Sequence, residues 1–227
     1  MRYANVTKGY GVKYWEIGNE VYGNGHYGAT WETDHHASLS PATYANYVVQ
    51  YASAMKAVDP SIKIGSVLTT PGSWPDGIVG SGDSMDWNHT VLSIAGSKID
   101  FVIVHHYPYS TSQADLLGKP QAEIPGMAGA LRSLINQYAG STAPNVGIAV
   151  TEGNADAYKV TTVEGATDYD DGGVLSRRFL RAAAEHAVRA VLRHPDDHQA
   201  GVAGGQPGPG RQFDLAHLRA RGPTGER

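Results

Sequence analysis

Two glutamates stand out by what precedes them. The apolar run Val12–Ile17 leads into Gly18-Asn19-Glu20, and the apolar run Val146–Val150 leads into Thr151-Glu152-Gly153-Asn154. If both runs are strands of a parallel sheet, each carboxylate stands just past a strand's C-terminal end, where α/β architectures gather their reacting groups. Two carboxylates at one mouth can cleave a glycosidic bond. One protonates the leaving oxygen, while the other attacks the anomeric carbon or activates water. A separation of roughly 5–5.5 Å serves a covalent, retaining route, and roughly 6.5–9.5 Å an inverting one. Asn19, beside Glu20, can hydrogen-bond a sugar hydroxyl next to the reacting carbon. Asp156, Glu164 and Asp168 are rival nucleophiles, but none abuts a strand. Glu16 lies inside the first strand, where a structural, hydrogen-bonded carboxylate is the expectation.

A third apolar run, Ile99–Val104, ends in His105-His106-Tyr107-Pro108. His105 and Tyr107 are two apart and share a strand face. His105 and His106 point to opposite faces, so they do not readily bind one ion, and His35-His36 in a loop is no better. A metal-dependent hydrolase built on these histidines is therefore a third-ranked reading, and indifference to a chelator would count against it. The chain has 13 Tyr and 4 Trp against 3 Phe. Tyr and Trp pair a flat apolar face with a polar edge, as sugars do. Trp31, Trp74 and Trp87 sit in or beside loops, where stacking on a sugar competes with ordinary packing.

These groups need elements to hold them. Ser40 and Pro41 mark a helix start, and Tyr44, Tyr47, Val48, Tyr51, Ala52 and Met55 recur at helical spacing until Asp59-Pro60 stops it. Ile62–Leu68 reads as a strand, Thr69–Ser84 as a Gly/Pro/Ser-rich loop and Asp86–Ala95 as a short helix. Ile124–Tyr138 reads as a long helix with Leu131, Leu134 and Ile135 inward, and Gly140–Asn145 as a turn. Short strands, apolar on both faces and alternating with helices, predict a parallel sheet with helical crossovers. A nucleotide-binding doubly wound sheet would show G-x-G-x-x-G or a Walker A run, and neither occurs.

The 227 residues can bury one sizeable core, and the net charge of −4 offers no basic face for nucleic acid or an anionic membrane. No cysteine is present, which removes disulfides, thiolate metal sites and cysteine nucleophiles. No apolar stretch nears the roughly 20 residues of a membrane span, and the first eleven residues lack the apolar core of a secretory signal. Past about Asp170 the character changes. Residues 171–193 read as one further helix crowded by Arg177, Arg178, Arg181, Arg189 and Arg193, and residues 194–227 as a disordered Gly/Pro/Arg-rich tail. A shifted reading frame or a misplaced gene end would explain that change.

The stretch from Tyr14 to Gly25, with Trp-Glu-Ile-Gly-Asn-Glu at its heart, resembles the fourth-strand signature of clan A glycoside hydrolases, (β/α)8 barrels, and within them the α-L-arabinofuranosidases. The resemblance covers about residues 3–160. It implies that Glu20 is the general acid/base and Glu152, at the seventh strand, the nucleophile, and that Asn19 holds the sugar 2-hydroxyl. It also implies that His105 lines the sugar pocket and that Tyr107 hydrogen-bonds the nucleophile. Asn154 and Trp31 complete the expected sugar-binding set. No cofactor is called for. The acid should have the higher pKa, raised by burial and by its ionised partner.

Spacing agrees, since 132 residues separate the two glutamates, or about 44 for each of three βα units. On this reading residues 1–170 form a partial TIM-barrel domain that lacks the first three strands and the last. Its open edges leave the chain alone poorly stable and weakly active or inactive. The expected substrate is a plant-type polysaccharide or oligosaccharide with terminal arabinofuranose, and a full-length relative is expected to be secreted. The main alternative is a non-catalytic carbohydrate-binding or degenerate barrel protein.

Overall fold

The structure is a computed structural model and describes residues 1–110, 112–153, 181–183 and 188–190. The chain divides into two units, Met1–Leu192 and Arg193–Arg227, and every described residue lies in the first. Five strands form one all-parallel sheet in the order β1 (Tyr14–Ile17), β2 (Lys63–Val67), β3 (Phe101–His106), β4 (Gly147–Gly153), β5 (Val188–Ala190). Three helices cross between the strands: α1 (Pro41–Lys56), α2 (Trp87–Ala95) and α3 (Gln113–Tyr138). Strands in chain order, each joined to the next by a crossover, are the repeating unit of a (β/α) barrel. All six residues of β3 are buried, whereas β1 alternates exposed and half-buried residues. Among the described residues nothing pairs with the outer edge of β1, where Tyr14 is 53% exposed.

Local chemistry sets the helix starts. The Ser40 side chain accepts from the Thr43 N–H at 3.1 Å, and Pro41 opens α1. Asp86 likewise accepts from the His89 N–H at 2.8 Å ahead of α2. α1 then buries Tyr44, Ala45, Val48 and Ala52 against the sheet. The Tyr44 hydroxyl donates to the Ile17 carbonyl at 2.6 Å and accepts from the Val67 N–H at 2.8 Å, closing backbone groups where β1 and β2 end. Burial pushes that phenol up to about 12, so it stays neutral and able to donate. Trp87, fully buried, stacks on Tyr44 at 5.3 Å and donates its indole N–H to the Val67 carbonyl at 3.0 Å.

Three elements differ from the sequence expectation. α3 begins at Gln113, eleven residues before Ile124, and runs through Pro120 and Pro125. Proline removes a helical N–H and usually ends a helix. Here Leu116, Pro120, Ile124, Ala128, Leu131 and Ile135 form one continuous buried stripe, and that packing outweighs the lost bonds. β4 extends to Gly153 rather than stopping at Val150. Within 171–193, expected as one helix, residues 181–183 are helical but Val188–Ala190 is a strand parallel to β4. The rest of that segment, and the expected tail at 194–227, lie outside the described residues.

Candidate active site

Glu20, His105, Tyr107 and Glu152 meet at the C-terminal rim of the sheet. β1 ends at Ile17, and Gly18, at φ +85°, turns the chain there; a Cβ on it would sit 2.6 Å from the Val21 side chain. Glu20 follows in the left-handed region (φ 40°, ψ 36°), the one non-glycine residue with positive φ among the described residues. Its carbonyl accepts from the Gly23 N–H at 2.6 Å, starting a short 3-10 turn. At the other strand, the pairing of β3 with β4 shifts register between Val104 and His105, which sets His105 opposite Glu152. A bulge of this kind re-aims side chains at a sheet rim.

His105 Nδ1 lies 2.6 Å from Glu20 Oε1 and 3.6 Å from Glu152 Oε2. The Tyr107 hydroxyl donates to Glu152 Oε2 at 3.0 Å. One oxygen of each carboxylate and one His105 nitrogen all fall within 4.8 Å of one another. The same trio has ligand atoms close enough to hold a single cation, although His105 is already engaged with both carboxylates. His105 itself is buried, and its carbonyl accepts from the Thr70 hydroxyl, which ties the rim of β3 to the loop after β2. His106 turns the other way, to Glu123 Oε2 of α3 at 3.0 Å. That contact anchors the part of α3 that the prolines would otherwise unsettle.

The Glu20 carboxyl is held below its ordinary value of 4.5. The His105 hydrogen bond and charge, with smaller help from Tyr22 and Trp31, outweigh burial, which acts the other way. This reverses the expectation that the acid/base would be raised, because spacing alone could not reveal the His105 nitrogen 2.6 Å from that carboxylate. A lowered carboxyl favours the fold only while it is ionised. Its stabilising contribution should be complete above the ordinary carboxylate pKa and vanish as pH falls through the lower, folded value. Urea unfolding at a series of pH values from 7 to 3 should show that loss, and Glu20→Gln should flatten it.

Of the expected sugar-binding residues, Trp31 stands beside the turn that carries Glu20, its ring edge-on to Tyr22 at 6.1 Å. Asn19 is exposed, and its amide donates to Glu32 Oε1 at 2.8 Å, which leaves its amide oxygen free of that bond. Asn154 lies outside the described residues. Sequence reasoning missed Tyr22, a buried tyrosine beside Glu20 whose phenol is pushed far up by burial and by the Glu20 charge. A tyrosine two positions past a candidate carboxylate, in a tight turn, was the available signal. Glu16 stays on the exposed side of β1, where its Oε2 lies 3.5 Å from the Thr151 hydroxyl.

A parallel β/α sheet with two carboxylates at its C-terminal rim has the layout of a sector of a (β/α)8 glycoside hydrolase. The comparisons narrow this to α-L-arabinofuranosidases, to which the chain is similar. Over 121 residues it is 28% identical to "Probable alpha-L-arabinofuranosidase C" of Aspergillus fumigatus, a match covering 51% of this chain and 19% of that protein. Its fold matches the α-L-arabinofuranosidase of Thermotoga maritima, solved with arabinose, at TM-score 0.61 and 26% identity. It matches the thermostable GH51 α-L-arabinofuranosidase of Thermotoga petrophila RKU-1 at TM-score 0.62 and 27% identity. Each of these matches covers 86% of this chain, and 37% and 38% of those chains respectively. The chain thus spans about a fifth of the curated relatives it matches and under two fifths of the solved ones. No family model matches it.

Proposed function

We propose that the chain is part of a retaining glycoside hydrolase that removes terminal α-L-arabinofuranosyl groups from plant-type polysaccharide or oligosaccharide. The observation that carries this reading is the approach of the two carboxylates, oxygen to oxygen within 4.8 Å across His105. An approach this close supports direct attack by one carboxylate over activation of a water between the two.

Glu152 is the nucleophile. Tyr107 holds its Oε2, leaving Oε1 to attack the anomeric carbon. Glu20 is the acid/base. A bound sugar displaces water from Glu20, and dehydration raises a carboxyl, so substrate entry opposes the His105 hydrogen bond and lets Glu20 carry the proton the leaving oxygen takes. Once that proton has gone, the same hydrogen bond favours the ionised form, which then deprotonates the incoming water. Trp31 and Asn19 contact the sugar, Asn19 through its amide oxygen while Glu32 holds its nitrogen. We assign low turnover to these 227 residues by themselves, because among the described residues β1 and β5 are edges and the sheet closes only part of a mouth.

The test is hydrolysis of 4-nitrophenyl α-L-arabinofuranoside, with the first-formed arabinose read by proton NMR. Retained configuration at C1 is expected, in slow turnover. An inverted first product sinks the mechanism, and turnover in the ordinary enzyme range of 1–10³ per second sinks the low-activity assignment. Sugar binding with no arabinose ever released would favour a non-catalytic carbohydrate-binding protein.

A further inference from the structure

The end of the sheet opposite Glu20 carries a cleft of about 470 Å³, within the size range of small-molecule sites. Three lysines line it from three elements. Lys56 closes α1, Lys63 opens β2, and Lys98 ends the 3-10 turn Gly96–Lys98 that extends α2. One carboxylate, Asp100, stands among them just before β3. It accepts from Lys56 Nζ at 2.6 Å, from Lys63 Nζ at 3.3 Å and from the Ile64 N–H at 2.9 Å. A structural role accounts for these four groups, which tie the end of α1 to the starts of β2 and β3. It leaves Lys98 over, whose ammonium has no partner among the described residues. The Ser97 hydroxyl and the Asn145 amide also line the cleft and likewise lack a side-chain partner among the described residues.

We propose that this cleft binds the carboxylate of an acidic sugar, a uronate unit of a plant-type polysaccharide. The charge balance favours a monoanion. A helix C-terminus carries about half a negative charge, and two helical segments end here. Three ammoniums set against one carboxylate and those two ends leave about one positive charge. A phosphate ester carries about −1.5 to −2 and is commonly held by helix N-termini or backbone N–H nests, whereas the helical segments at this cleft present their other ends. The neutral Ser97 and Asn145 groups suit the hydroxyls of a sugar ring around its carboxylate. The cleft stands independently of the catalytic assignment, while the choice of a polysaccharide rests on the hydrolase reading. Strands begin at this cleft and end at Glu20 and Glu152, so it holds the polymer at a second place, remote from the bond that is cut.

Calorimetric titration of the full 227-residue chain with tetragalacturonate, at fixed ionic strength, tests this. The acid form should bind at least about fivefold more tightly than its fully methyl-esterified form, which keeps the rings and loses the charges. Lys98→Gln should weaken the acid form roughly two- to fivefold, the scale of one exposed ion pair. Lys8→Gln, outside the cleft, should leave it unchanged. Lys98 has no partner to lose, and urea unfolding of the variant should match the native chain. No binding, equal binding of acid and ester, or an unchanged affinity in Lys98→Gln overturns the proposal. Displacement of tetragalacturonate by inorganic phosphate at lower concentration than by glucuronate overturns the choice of a carboxylate. The probe carries no arabinofuranose, so the two readings fail separately. Absent binding leaves the hydrolase standing, and binding that needs Lys98, with no arabinose released from any substrate, keeps the cleft and removes the hydrolase.

Discussion

Glu152→Gln should lower turnover of 4-nitrophenyl α-L-arabinofuranoside by on the order of 10⁴-fold or more, because removing a nucleophile removes the whole covalent route. Glu20→Ala should behave differently. Nitrophenolate leaves without a proton, so the first step with this substrate survives and the second, which needs a base, slows by about 10²–10⁴-fold. A burst of nitrophenol followed by slow turnover is the signature, and azide, which needs no base, should restore the rate. With a sugar leaving group the same variant should lose the first step too. The contrast follows from the site, where Tyr107 attends one carboxylate and His105 bonds closely to the other. If Glu20→Ala slows activated and unactivated substrates equally and shows no burst, the two roles are misassigned.

The largest expected effect on stability lies at Trp87. It has no exposed surface, stacks on Tyr44 and meets Tyr22 and Tyr27 edge-on at 6.0 Å each. Trp87→Ala should cost about 3–5 kcal/mol, from lost transfer energy and the cavity left behind, with the Val67 carbonyl also losing its donor. Trp87→Phe keeps most of the volume and should cost nearer 1–3 kcal/mol, the scale of an unmet buried hydrogen bond. Urea unfolding of both variants gives the numbers. A Trp87→Ala loss below about 1 kcal/mol would mean that this cluster does not hold α2 to the sheet. The effect reaches the site as well, since Tyr22, two residues past Glu20, packs on Trp87.

Much of this was legible from local signals. Ser40-Pro41 and Asp86 are caps whose meaning depends only on neighbouring residues, and α1 and α2 begin where they predict. The apolar runs that lead into Glu20, His105 and Glu152 are short, and the order of their strands along the chain is their order in the sheet. What stayed hidden depends on contacts distant in sequence. α3 passes two prolines because its buried stripe and Glu123 hold it to β3, 17 residues away at His106. β5 hides among arginines because three residues carry too little pattern to outweigh a helical reading. The register shift at His105 and the turn of Asn19 toward Glu32 involve partners that spacing does not name. The lowered Glu20 carboxyl is the clearest case, because its cause is a histidine 85 positions away.

The left-handed backbone at Glu20 sets chemistry and folding against each other. A glycine would occupy that φ at no steric penalty, whereas glutamate there carries strain of order 1–3 kcal/mol. The ionised carboxyl recovers part of that strain through its bond to His105, and the remainder sets robustness against a carboxylate at this position. Among stabilised variants of this chain, residue 20 is where greater hardiness and loss of reactivity would arrive together.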